Sequence, residues 1–181
     1  ATTITRTIQD MRRSGPSVIA GTPVLALPEY AALANGIASH SIELDDLNNE
    51  SSLHPGVVAF PTAMAMSDMT PSSGKDFITA VVAGYDVMIR LGRALKPAEH
   101  YARGFHPTST CGAFGAATVA ARFLGLKDKS FTYALGIAGS QTSGSMEYLA
   151  QGTWTKRFNP GWAAHSGIWA ALLARSGFLA P

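Results

Sequence analysis

The 181 residues predict an all-α fold, a multi-helix bundle, on three observations. Apolar side chains recur at helical spacing through most of the chain. Runs of Ala and Gly lie inside those stretches, where they let helices approach closely. The one segment with strand-like content, SVIAGTPVLALP, is broken by Gly21, Pro23 and Pro28. It therefore reads as an irregular connector rather than a sheet.

Taken in order, Thr3 to Arg13 predicts a short amphipathic helix with Ile4, Ile8 and Met11 on one side, stopped by Ser14, Gly15 and Pro16. After Pro28 a small-residue helix runs to about Ser41, carrying Ala31, Ala32, Ala34, Gly36 and Ala38. Phe60 to Met69 is the next helix. Gly74 to Leu95 is a long one, with Phe77, Val81, Tyr85 and Met88 near helical spacing. Thr110 to Leu124, Lys129 to Thr142 and Pro160 to Gly177 complete the bundle, the last two ending in the turns SGS and SGF. No fixed-period repeat or low-complexity linker divides the chain, so residues 1–181 are expected to form a single helical domain.

Composition, 46% hydrophobic and 14% charged, is that of a packed globule. A formal charge of +2, with Lys and Arg scattered, argues against a nucleic-acid partner. The longest apolar window, FITAVVAGYDVMIRLG, contains Asp86 and Arg90 and falls short of the ~20 apolar residues that a bilayer span needs, so no membrane association is expected. A single cysteine, Cys111, excludes an intramolecular disulfide and fits a reducing compartment. The opening residues lack a basic region followed by an apolar core, and a cytoplasmic location is expected. Cys111 has no neighbouring thiol-nucleophile motif and reads as structural.

The informative polar residues gather in three connections. The first, HSIELDDLNNESSLHPG, sets Glu43, Asp45, Asp46 and Glu50 ahead of His54 and Pro55. The second, HYARGFHPTS, sets His100, Tyr101, Arg103 and His106 ahead of Pro107. The third, GSMEYLAQGTWTKRFNPG, offers Glu147, Thr155, Lys156 and Arg157 before Pro160. Each runs into a helix N-terminus, where free backbone N–H groups favour an anion. If the three ends converge, imidazoles that move protons meet cations that hold carboxylates.

Each piece alone has a plainer reading. His-Pro before a helix is often just a turn, Asp45-Asp46 a solvated acidic turn, and Lys156-Arg157 a surface pair. His40, on the small-residue helix, reads as a buried core histidine, and His100 and His165 have no special context. CGAFGAA lacks phosphate-loop spacing and follows no strand, so no nucleotide cofactor is expected. A zinc site would want close pairs such as H-x-x-x-H; none occurs, and no metal is expected.

The segments ALANGIASHSIELDD, LHPGVVAFPTAMA, VVAGYDVMIRLGRAL, GFHPTSTCGAFGAA, ALGIAGSQTSGSMEYL and GTWTKRFNPGWAAHSG, in that order and spacing, closely resemble the MmgE/PrpD family. That family includes 2-methylcitrate dehydratase, cis-aconitate decarboxylase and iminodisuccinate epimerase, which share carbon-acid chemistry beside carboxylates without a required cofactor. The resemblance implies the large helical domain of a two-domain protein, usually a homodimer, without the smaller α+β lid that supplies a further Lys and Tyr. The chain is thus expected to be a fragment. Carried over by motif, the family's active-site histidines fall on His54 in LHPG and His106 in FHPTS, and its helical-domain lysine on Lys156 in WTKRF. The acidic motif Asp-x-Asp-Asp-Thr appears as Glu43-Leu44-Asp45-Asp46-Leu47. Leu47 in place of the hydroxyl, and a loop to His54 of different length, point away from cis-aconitate decarboxylation and towards epimerase-like members.

The expected chemistry is proton transfer at a carbon next to a carboxylate of a small di- or tricarboxylate, by dehydration, hydration or epimerisation. His54 and His106 are the expected acid/base residues, since imidazole exchanges protons near neutral pH. Lys156, with Arg103, clamps carboxylate oxygens, and Glu43 or Asp46 binds or orients. The alternative is a non-catalytic helical or dimerisation module lacking the lid. Apolar faces left exposed on such a domain favour a homodimer.

Overall fold

A computed structural model describes residues 2–181. Helix α1 spans Thr2–Asp10, and the connector after it pairs β1, Ser17–Val18, antiparallel with β2, Leu25–Ala26. Then follow α2 (Pro28–Ser39), α3 (Gly56–Met69), α4 (Gly74–Ala94), α5 (Pro97–Ala102), α6 (Pro107–Phe123), α7 (Asp128–Ser140), α8 (Tyr148–Gln151) and α9 (Thr155–Arg175). The fold is all-α, and no described helix is long and apolar enough to cross a membrane.

Helices α6 and α9 form the centre: they pack on each other, α4 and α3 cover α6, and α2 and α7 cover α9. Small residues make this possible. A Cβ at Gly36 of α2 would lie 2.8 Å from Gly161 Cα of α9, and a Cβ at Gly161 would collide with the Leu33 carbonyl. A Cβ at Gly167 of α9 would strike Ala116 of α6. Alanines fill most of the interior, with Leu53, Val57, Val58, Met66, Met88, Val119 and Ile168 as the large buried side chains. Burial raises the Cys111 thiol to about 11, which leaves it protonated and inert.

Several boundaries differ from the sequence expectation, each for a tertiary reason. The α1 helix stops at Asp10, so Met11 lies beyond it and is exposed. The connector closes a short ribbon because Asn35 of α2 grips it, Oδ1 accepting from Ala20 N–H and Nδ2 donating to the Val18 carbonyl. The α3 helix starts at Gly56 rather than Phe60, and α9 at Thr155 rather than Pro160. Pro160 is therefore inside α9, and Lys156 lies in its first turn.

Candidate active site

The first turn is held by Asp46. Pro55, the N-cap of α3, offers no side-chain cap. The Asp46 carboxylate, ten residues upstream, accepts the Gly56 N–H instead, at 3.0 and 3.3 Å to its two oxygens. The Tyr85 hydroxyl of α4 donates to the same carboxylate at 2.9 Å. Both oxygens of Asp46 are thus engaged, and it is the main-chain carbonyl of Asp46 that lies 2.8 Å from His54 Nδ1. Inside the loop, Asn48 and Leu53 form an antiparallel bridge, and Glu43 adopts φ +56°, rare for a long side chain and a mark of a constrained site. The His54 N–H donates to Thr108 Oγ1 at 3.1 Å, tying this turn to α6.

The second turn makes His106 the N-cap of α6. Its N–H donates to the Gly144 carbonyl at 2.8 Å, and Met146 N–H donates to the Gly104 carbonyl at 2.9 Å, so the loop before α8 braces it. The ring is 2% exposed, lies edge-on to Tyr148 at 5.9 Å, and places Nδ1 3.3 Å from Asn159 Nδ2 of α9. Burial first, then the charges of His40, Lys156, His54 and His100, push its pKa down to about 3. His106 is a neutral imidazole at any ordinary pH. Accepting from Asn159 at Nδ1, it keeps its proton at Nε2 as a hydrogen-bond donor. Arg103, the exposed C-cap of α5, sets its charge beside His100, whose Nε2 is 2.9 Å from Thr110 Oγ1.

The third turn brings Lys156 to the first. Its ammonium donates to the Glu43 carboxylate, and the other oxygen of Glu43 is 3.9 Å from His40 Nε2. Tyr148 is almost wholly buried, and that burial, with Tyr101 and Glu43 nearby, raises its phenol to about 12.

His40, read from the sequence as a core histidine, is fully buried and stands between the others. Its ring centroid is 4.8 Å from that of His54 and 6.0 Å from that of His106, the latter nearly parallel at 19°. Asp45 Oδ2 lies 2.8 Å from Nδ1 of both His40 and His54. His40 Nε2 and Asp45 Oδ1 are buried without a hydrogen-bond partner, at a cost of about 1–3 kcal/mol each. The two predicted imidazoles, Lys156 and Glu43 therefore converge around His40 and Asp45. The sequence assigns neither His40 nor Asp45 a catalytic or binding role, although Asp45 stands in the acidic motif Glu43-Leu44-Asp45-Asp46.

The donor atoms of His40, Asp45 and His54 lie within 4.8 Å of one another, as metal ligands do. The hydrogen bonding runs against an ion there. A nitrogen 2.8 Å from a carbonyl oxygen must carry the proton, and His54 Nδ1 faces the Asp46 carbonyl at that distance, whereas a ligating nitrogen must offer its lone pair.

The MmgE/PrpD N-terminal domain model matches residues 1–181. Among curated proteins, the chain is similar to the cis-aconitate decarboxylases of Homo sapiens (37% identity over 89% of this chain and 34% of that protein), Mus musculus (36%, 89% and 33%) and Aspergillus terreus (33%, 83% and 32%). It spans about a third of the length of these relatives. With a family model matched from end to end and a turn-by-turn convergence of the motif residues, the chain belongs to the MmgE/PrpD family, as its N-terminal helical domain.

Proposed function

We propose that this domain carries the proton-transfer half of a cofactor-independent lyase acting on a small di- or tricarboxylate. The observation that carries the reading is the placing of Lys156 and Glu43: an ammonium already holds a carboxylate beside His40, His54 and His106. A substrate carboxylate would take the place of Glu43 on Lys156 and bring its neighbouring carbon among the imidazoles. His54, protonated at Nδ1 by the Asp46 carbonyl that accepts from it, offers Nε2 as the base. His106, neutral with Nε2–H, donates to the oxygen on which negative charge develops. Asp46 acts on His54 through its carbonyl, and Arg103 serves as an outer cation that attracts the acid.

The curated relatives put a lyase ahead of an epimerase within this class, although the sequence reading leaned to the epimerase-like branch. Decarboxylation fits the same site, since it replaces a C–C bond by a C–H bond and so requires a proton delivered to carbon. Leu44, Leu47, Leu149 and Trp154, exposed close to Glu43, Asp46, Tyr148 and Lys156 in the chain, support a covering surface supplied by a second copy of the protein in a homodimer.

Incubating the full-length protein in deuterated water with cis-aconitate and a panel of di- and tricarboxylates tests this. Deuterium is expected at the carbon beside a carboxylate, with the rate falling about 100-fold or more in His54→Ala or Lys156→Ala. No label in any acid, or an unchanged rate in His54→Ala, would refute it.

A further inference from the structure

His40 Nε2 is buried without a hydrogen-bond partner, in a side chain with no exposed surface. Such an atom is costly to leave unmade, so the group it faces matters. The other nitrogen, Nδ1, is hydrogen-bonded to Asp45 Oδ2 at 2.8 Å. A carboxylate oxygen only accepts, so Nδ1 holds the proton of the neutral ring and Nε2 keeps a bare lone pair. Facing Nε2 at 3.9 Å, too far for a hydrogen bond, is Glu43 Oε1, while the other oxygen of that carboxylate takes the Lys156 ammonium. Two acceptors thus stand across a gap that one proton would fill.

We propose that His40 is a substrate-binding residue: when an acid displaces Glu43 from Lys156, His40 takes up a proton at Nε2 and donates it to the second oxygen of the arriving carboxylate. The carboxylate is then held between an ammonium and an imidazolium, with His40 Nδ1–H still on Asp45. No covalent bond of the acid changes; one proton passes from solvent to Nε2 for each acid bound. This deepens the proton-transfer reading and rests on its placing of a substrate carboxylate on Lys156. The charged and titratable groups around His40 are Asp45 and Glu43 from the loop that follows it, His54 from the turn before α3, His106 from the start of α6 and, through Glu43, Lys156 of α9. In the empty site burial, chiefly, and His54 lower the His40 pKa against the pull of Asp45 and Glu43, and the ring is neutral. A di- or tricarboxylate brings two or three negative charges where Glu43 brings one, and added opposite charge favours the protonated ring. The charge that His40 gains also helps keep His106 neutral, since His40 already opposes protonation of that ring. The filled site therefore carries one more proton than the empty one, and affinity rises as pH falls. Kd should climb about tenfold per pH unit through the range in which His40 is neutral when the site is empty and charged when it is filled.

Calorimetric titration of the full-length protein with propane-1,2,3-tricarboxylate near pH 7, in buffers of different ionisation enthalpy, counts the protons. About one is expected to enter with each acid bound. Glutamine places a neutral amide donor near the position of Nε2, so His40→Gln should bind the acid with almost no proton uptake and a flat pH dependence. Long-range proton–nitrogen correlation of labelled histidines identifies the ring in the wild type, whether or not the variant folds. His40 should be neutral and δ1-protonated in the empty protein and an imidazolium once the acid is added. No uptake, undiminished uptake in folded His40→Gln, or an imidazolium signal from His54 alone overturns the proposal. Acid that fails to bind, or that binds Lys156→Ala as tightly, removes the carboxylate site and with it both this proposal and the function proposed above. Binding that needs Lys156 but takes up no proton overturns the role of His40 and leaves that function standing.

Discussion

At the scale of single residues, the site works by contrast between three imidazoles set in one cluster. His54 is 19% exposed, bonded at Nδ1 to the Asp46 carbonyl and close to the Asp45 carboxylate; His106 is buried and neutral; His40 is fully buried beside both. Burial has a cost in acid that can be measured. Unfolded His106 titrates near 6.5 and the folded residue near 3, so the unfolded chain binds the extra proton between those values. The contribution is full above about pH 6.5 and is lost as pH falls towards 3, by up to about 1.4 kcal/mol per pH unit for this group. His40 and His165, also lowered by burial, add in the same direction. Urea-unfolding midpoints between pH 7 and pH 4 should fall less steeply in His106→Gln than in the wild type. Equal slopes would mean that His106 is not buried in its neutral form.

At the scale of elements, the helices hold the site by fitting at glycine. Gly161 of α9, five residues after Lys156 and two after Asn159, sits against the Leu33 carbonyl and Ile37 of α2, the helix capped by His40. Gly161→Ala is expected to cost about 1–3 kcal/mol by overpacking, whereas Gly74→Ala, with no atom within 4 Å of the added carbon, should be near neutral. Thermal or urea denaturation checks the pair, and equal midpoints would contradict the crossing. The helices themselves were legible in the sequence because their periodicity is local. Their starts were not: Gly56 is capped by a carboxylate ten residues away, and Pro160, a start signal by its chemistry, lies inside a helix that begins at Thr155. The motif residues His54, His106 and Lys156 could be read from the resemblance. His40 could not, and Asp45 only as one member of the acidic motif, since what sets them in the site is the approach of one Asp45 oxygen to both His40 and His54, which only the folded chain makes.

At the scale of the whole molecule, packing α6 and α9 side by side, with α3 across α6 and α2 across α9, brings the starts of α3, α6 and α9 to one end of the bundle with the end of α2. Backbone and side-chain bonds seal that meeting: His54 to Thr108, His106 to Gly144 and Asn159, Lys156 to Glu43. The central claim is that this meeting point takes a small acid. A crystal structure of the full-length protein with propane-1,2,3-tricarboxylate, which has neither a double bond nor a hydroxyl to react, tests it most directly. The account predicts one carboxylate on Lys156 in place of Glu43, with the adjoining carbon facing His54 and His106. A tricarboxylate bound elsewhere, with the Lys156–Glu43 pair intact, would contradict it.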